Sequence, residues 1–162
     1  MPTTTELIKE LRGITGAGIM ECKKALEDAV GDLTKAQQLI KERGLALAEK
    51  KAGREASQGL IECYVHAGRI GALIELNCET DFVARTDDFK TLAREVAMQV
   101  ASMNPSRISS QEPSNDGDVP LLDQPNIRDG SKTIQDLVNE TIAKVRENIV
   151  IRRIARFELG GS

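Results

Sequence analysis

At 162 residues and a net charge of −3, the chain is long enough for one ordinary domain plus a small module, and it lacks the basic surplus of a protein that grips a nucleic-acid backbone. Tyr64, Phe82, Phe89 and Phe157 are its only aromatic residues, too few for a platform on which bases stack. No apolar run approaches the roughly 20 residues that span a bilayer, the N-terminus lacks the apolar stretch of a secretory signal, and Cys22, Cys63 and Cys78, an odd number without framework spacing, read as free thiols of a reducing cytosol; the expectation is a cytoplasmic protein with neither membrane nor nucleic-acid partners.

Residues 1–45 are expected to form three short helices. Thr3 and Glu6 have capping-box spacing, and Leu7, Ile8 and Leu11 make the first apolar stripe. Gly13 to Gly18, with three glycines and a threonine, reads as a turn. A second helix carries Ile19, Cys22, Leu26 and Ala29 and is ended by Gly31. Asp32 caps a third, with Leu33, Ala36, Leu39 and Ile40, which Gly44 can close. A unit of about 45 residues is marginal alone, and small three-helix units of this kind often serve as docking modules. Residues 46–57 are polar and mixed in charge and are expected as a connector, with room for helix at its start. Lys50-Lys51 reads as a solvated linker face rather than a site.

Residues 58–162 change period. Leu60 to His66 and Ile70 to Cys78 alternate around the turn signal Ala67-Gly68, which predicts a β-hairpin. Thr86 then caps a helix whose stripe is Phe89, Leu92, Ala93, Val96, Ala97, Val100 and Ala101, stopped by Asn104-Pro105. Residues 105–130 are rich in Pro, Ser, Asn, Asp and Gln and read as a long loop or a partly disordered excursion. Ser131 is a candidate cap for a further helix with Ile134, Leu137, Val138, Ile142 and Val145 on one face. A third strand follows, with Ile149, Ile151, Ala155, Phe157 and Leu159 pointing one way and Arg153 interrupting. The order β-β-α-α-β predicts an α+β fold, with helices on one face of a small antiparallel three-stranded sheet. Such a sheet leaves edges to be covered or paired, so a closed two-fold homodimer is expected.

The residues of an enzyme are hard to find. The single histidine, His66, has no nucleophile and acid arranged for a triad. Cys63 and His66 are three apart, and on a strand that spacing puts them on opposite faces, against one shared metal ion. Asp87-Asp88 follows the Thr86 cap, where acids favour the helix dipole. Thr15-Gly16-Ala17-Gly18 lacks the lysine and preceding strand of a phosphate loop. The reading is a protein without catalytic residues, metal or cofactor that acts on another macromolecule by contact.

Two segments carry a family resemblance. One is Leu11-Arg12-Gly13-Ile14-Thr15-Gly16-Ala17-Gly18-Ile19-Met20-Glu21-Cys22-Lys23-Lys24-Ala25-Leu26; the other is Glu75-Leu76-Asn77-Cys78-Glu79-Thr80-Asp81-Phe82-Val83-Ala84-Arg85. Both resemble the signature stretches of the elongation factor Ts family, and Glu147-Asn148-Ile149-Val150-Ile151-Arg152-Arg153 through Arg156-Phe157-Glu158-Leu159 is similar to that family's ending. The resemblance implies a guanine-nucleotide exchange factor for elongation factor Tu, met in its GDP-bound and nucleotide-free forms. It also implies an N-terminal module like a ubiquitin-associated domain, docking through Arg12, Ile19 and Met20. The core would carry the Thr80-Asp81-Phe82-Val83 element, which pushes in beside the partner's magnesium site with Asp81 and Phe82 in front. Many members have methionine where this chain has Ile19, an apolar exchange that docking should survive. Longer members have a second core half and a coiled-coil insertion, and neither fits in 162 residues, which suggests a short, dimer-forming member.

Two readings compete. A ubiquitin-associated-like peptide-binding adaptor without exchange activity would account for the N-terminal half but leave Thr80 to Val83 without a purpose. A small enzyme with an unrecognised site would have to work with carboxylates alone. Without the resemblance, Phe82 could equally tuck back onto the core, and Asp81 could simply cap the turn after Thr80.

Overall fold

The first helix begins where its capping residues place it. In the computed structural model, which describes residues 1–114 and 117–161, the Thr3 hydroxyl accepts from the Glu6 backbone N–H, and the Glu6 carboxylate accepts from the Thr3 N–H at 2.7 Å. Asn115 and Asp116, inside the expected 105–130 loop, and Ser162, at the end of the expected core, lie outside the described residues. Helix α1 (Thr4–Thr15) runs on through Gly13 and ends at Gly16 in the left-handed conformation, so the expected turn shrinks to Gly16–Gly18. Helix α2 (Ile19–Asp28) closes with the Gly31 N–H returning to the Leu26 carbonyl at 2.8 Å, the wide ring of a Schellman turn. Asp32 caps α3 (Leu33–Lys51) through the Lys35 N–H. Leu11, Cys22, Ala25, Leu26, Ala29, Ala36 and Ile40 bury one another in a small core of their own.

Helix α3 does not stop at Gly44. It continues because its apolar face renews itself: Ala48 is buried in the main core and Leu47 packs against it. A Cβ on Gly44 would meet that of Ala143 at 3.4 Å, so the residue read as a stop is a close-approach point between helices. The first part of the expected connector is therefore the end of α3.

Strands β1 (Gln58–His66), β2 (Ile70–Cys78) and β3 (Val150–Glu158) form one antiparallel sheet in the order β1-β2-β3. Ala67 and Gly68 turn the hairpin, both with positive φ. Ala72, Ile74, Leu76 and Cys78 of β2 face inward and are buried. Helix α5 (Asp87–Met103) lies over β1 and β2, burying Phe89, Leu92, Ala93, Val96, Ala97 and Val100. Helix α6 (Ile134–Val145) packs on α5 and α3. The fold is α+β in the order β-β-α-α-β, with one added helical turn, α4 (Asp81–Ala84), after β2. Ser131 is not the cap of α6: Thr133 and Asp136 form a reciprocal capping box there, while the Ser131 hydroxyl donates to Asp129 at 2.6 Å.

The single-sided reading of Ile149 through Leu159 also fails. Glu75 pairs with Arg153 and Leu76 with Ile151, so Arg152 is an extra residue in β3. A bulge switches which residues face inward. Before it Ile151 is buried; after it Ile154 points to the core while Phe157 and Leu159 are exposed. The bulge leaves Arg152 and Arg153 both beside Glu75, at 3.7 and 2.7 Å.

Of the two readings of residues 105–130, the described part is an ordered loop. The Asp118 carboxylate accepts from the Ser106 N–H and hydroxyl and from the Ser114 hydroxyl. The Arg107 guanidinium donates to the carbonyls of Glu112 and Asp118. A 3-10 turn at Leu121–Asp123 buries Leu121. Gln99, fully buried on α5, holds the exit of the loop: its amide donates to Gln124 and to the Pro125 carbonyl and accepts from the Ile127 N–H. A buried amide so satisfied avoids the cost of an unpaired polar group.

Candidate functional site

The Thr80–Val83 element is a single helical turn at the end of β2. Thr80 is its N-cap, accepting from the Val83 N–H at 3.3 Å. Val83 and Ala84 are buried and fasten the turn to the core, whereas Asp81 and Phe82 project outward. Phe82 is 76% exposed, so the ring does not tuck back. A large apolar side chain left in water forgoes roughly 1.5–3 kcal/mol of burial, which the folded chain itself does not recover. Asp81 does not cap the turn. Its carboxylate accepts from the Arg85 guanidinium at 2.9 Å, an exposed pair one helical turn apart that adds little stability.

This turn is held from behind by residues that sequence reasoning missed. The Glu147 carboxylate, just beyond α6, accepts from the N–H groups of Glu79 and Thr80 and from the Thr80 hydroxyl. The Glu79 carboxylate accepts from the Asn148 N–H at 2.8 Å and pairs with Arg54 at 3.0 Å. The Cys78 thiol donates to the Thr80 carbonyl at 3.1 Å. Burial, reinforced by the negative charge of Glu147, pushes that thiol up to about 11, so it stays a donor at neutral pH. Within the sequence, Cys78 and Glu79 lie in the second family-like stretch and Glu147 and Asn148 open the third, but nothing in the spacing shows that the two stretches meet.

Arg12, Ile19 and Met20 gather at the corner between α1 and α2. The Arg12 Nε donates to the Ala17 carbonyl at 3.3 Å. Ile19 and Met20, in the first turn of α2, are 55% and 72% exposed. All three line a cleft of about 810 Å³ between this corner, α3 and the outer side of α6, where Glu140, Ala143 and Lys144 form the facing wall. Among the described residues, no hydrogen bond or ion pair joins this group to Thr80–Val83.

A third surface is the sheet face away from α5. Ile61 and Val65 of β1, Leu73 of β2, and Phe157 with Leu159 at the end of β3 are exposed there, around an exposed Cys63. Glu75 with Arg152 and Arg153 forms its charged rim. Partial desolvation pushes the Glu75 carboxyl up, but hydrogen bonds from Asn77 and Arg153 and the charges of Arg153 and Arg152 outweigh it and hold the group below its usual value. His66 sits off this surface, with its Nδ1 3.0 Å from the Tyr64 hydroxyl. Among the described residues, no group of three or more His, Cys, Asp or Glu side chains is placed to hold a metal ion, and no helix is long and apolar enough to cross a membrane.

Comparison with known proteins covers nearly the whole chain. A family model described as Elongation factor TS matches residues 17–117 and 79–162. Elongation factor Ts of Coprothermobacter proteolyticus is 47% identical over 196 residues, an alignment that covers 99% of this chain and 100% of that protein. Elongation factor Ts of Thermoanaerobacter sp. (strain X514) is 47% identical over 193 residues, covering 97% of this chain and 95% of that protein. Elongation factor Ts of Thermodesulfovibrio yellowstonii is 42% identical over 194 residues, covering 99% and 98%.

Proposed function

The chain belongs to the elongation factor Ts family, and on that premise we propose that it is a guanine-nucleotide exchange factor for elongation factor Tu. It promotes GDP release during translation elongation by contact and displacement beside the partner's magnesium and phosphate groups, and it carries out no bond chemistry itself. The observation that carries this reading is Phe82: a large apolar ring, 76% exposed, on a turn whose other apolar residues are buried. A ring held out in this way is ready to enter another protein.

An exchange factor must bind the nucleotide-free partner better than the loaded one. Linkage then makes nucleotide and factor weaken each other's binding by the same factor. An apolar ring pushed between elements that support the magnesium ion does this, because packed protein responds by repacking rather than stretching. Thr80 and Val83 shape the turn, Asp81 steadies it or meets a basic or amide group of the partner, and Phe82 enters.

The work divides along the chain. Residues 1–45 dock through Arg12, Ile19 and Met20, residues 46–57 connect, and residues 58–162 form the core that presents the ring and dimerises. The exposed sheet face supports the homodimer more directly than the strand edges do. Ile61, Val65, Leu73 and Phe157 lie on one surface of the sheet, and a second copy related by a two-fold axis covers that apolar surface with the same apolar surface. The protein is placed in the cytoplasm with its partner and takes no cofactor. The test is release of a fluorescent GDP from elongation factor Tu with and without this protein; release at the unassisted rate refutes the assignment.

A further inference from the structure

The turn that carries Phe82 is four residues long, too short to hold its own shape, since a single helical turn fixes more dihedrals than its hydrogen bonds repay. What holds it comes from elsewhere in the chain. Glu147 uses Oε1 to accept from the N–H groups of Glu79, at 3.2 Å, and Thr80, at 3.0 Å. It uses Oε2 to accept from the Thr80 hydroxyl at 2.8 Å. That last bond matters for direction. The Thr80 hydroxyl is a rotor with one proton and two lone pairs. With its proton committed to Glu147, a lone pair is free to accept from the Val83 N–H. The carboxylate thus fixes the cap, and the cap fixes the turn. Glu79 reciprocates: its carboxylate accepts from the Asn148 N–H and pairs with Arg54, whose carbonyl accepts from the Asn148 side chain at 2.8 Å. Two carboxylates in this way clasp chain segments 67 to 69 residues apart.

We propose that Glu147 is a positioning residue for nucleotide exchange, acting through Thr80 to set the direction in which Phe82 projects. The proposal rests on the reading of Phe82 as the inserted ring. The hydrogen bonds of Glu147 go to Glu79 and Thr80, whereas its neighbour Arg146, not Glu147, lines the cleft beside Arg12, Ile19 and Met20, so its loss should leave docking largely intact and degrade the step that follows docking.

The experiment follows release of fluorescent GDP from elongation factor Tu over a range of factor concentrations. The proteins are wild type, Glu147→Ala, Glu147→Gln, Phe82→Ala and the Glu147→Ala/Phe82→Ala double variant, each with a thermal melt. The glutamine amide still offers one oxygen to the backbone N–H groups but has no second acceptor for the Thr80 proton. Glu147→Ala is expected to lower the maximal release rate about fivefold or more, while the concentration giving half the maximal rate moves less than about twofold. In the Phe82→Ala background the same substitution should have no further effect, because residues that act as one unit are not additive. An unchanged maximal rate overturns the proposal, and so does a loss that multiplies fully with that of Phe82→Ala. If Glu147→Ala does not fold, Glu147→Gln carries the same comparison, and a wild-type maximal rate from it overturns the proposal. Failure of wild type itself to accelerate release overturns the exchange reading and this inference with it, and is distinguished by that control alone.

Discussion

Replacing Phe82 by alanine separates what the ring does for this chain from what it does for a partner. Because Phe82 is 76% exposed, its truncation removes little of the protein's own packing. Folding stability should change by less than about 0.5 kcal/mol, as for surface substitutions generally. In an interface the balance differs. Burying a phenylalanine side chain fully is worth roughly 1.5–3 kcal/mol, and about three quarters of that remains to be gained here, or roughly 1–2 kcal/mol. If this gain is realised when nucleotide leaves, it corresponds to a loss of roughly five- to thirtyfold in stimulated GDP release. Binding to nucleotide-free elongation factor Tu should fall less steeply, because the N-terminal module docks independently of the ring. Asp81→Ala should act in the same direction but more weakly, since its visible partner, Arg85, lies on its own turn. The assay is stopped-flow release of fluorescent GDP at saturating factor, beside a thermal melt of each variant. Wild-type release by Phe82→Ala refutes the insertion argument, and a large loss of stability refutes the claim that the ring is free.

Deleting residues 1–45 should weaken complex formation severely while the rest still unfolds cooperatively, because the main cluster draws on α3 only through Leu47 and Ala48, which the deletion keeps; unchanged exchange at low factor concentration counts against this division. Phe157→Lys places a charge on the sheet face, where the side chain is 79% exposed in the single chain, and should shift sedimentation from dimer to monomer and remove any dependence of the melting temperature on protein concentration; a wild-type protein that sediments as a 17.7 kDa monomer at tens of micromolar refutes the dimer. Hydrogen bonds from the Ser106 hydroxyl and N–H hold the Asp118 carboxyl below its usual value in the folded chain, so its stabilising contribution is present above the ordinary carboxylate range and is lost as pH falls through the folded value. Limited proteolysis should accordingly cut the 106–118 loop faster at acid pH, and Asp118→Asn should show that faster cutting already at neutral pH; identical cutting of variant and wild type at pH 7 refutes the role of this carboxylate.

Features decided by residues close together were legible in the sequence. Thr3 and Glu6, three apart, specify a capping box that needs no tertiary help. Ala67-Gly68 between two alternating runs specifies a hairpin, and the 3.6-residue stripe from Phe89 to Ala101 specifies α5. The misreadings arose where a distant segment chose between local options. Gly44 is compatible with a helix end or a helix interior, and the approach of Ala143 on another helix selects the interior. The alternation from Ile149 to Leu159 is compatible with one inward face, but pairing with β2 inserts Arg152 as a bulge, and a single extra residue reverses every side chain beyond it. Gln99 reads as an ordinary polar helix position until the loop around Gln124 to Ile127 brings three partners to its amide. Glu147 is named by the sequence only as the first residue of a family-like ending, and its role as an acceptor exists only once the end of β2 lies beside it. Caps and periodicity are fixed by contacts within a turn or two of backbone, so the chain itself states them. A polar partner brought in from many residues away is settled only when the core has closed, because the cost of leaving a buried donor or acceptor unpaired is felt only then.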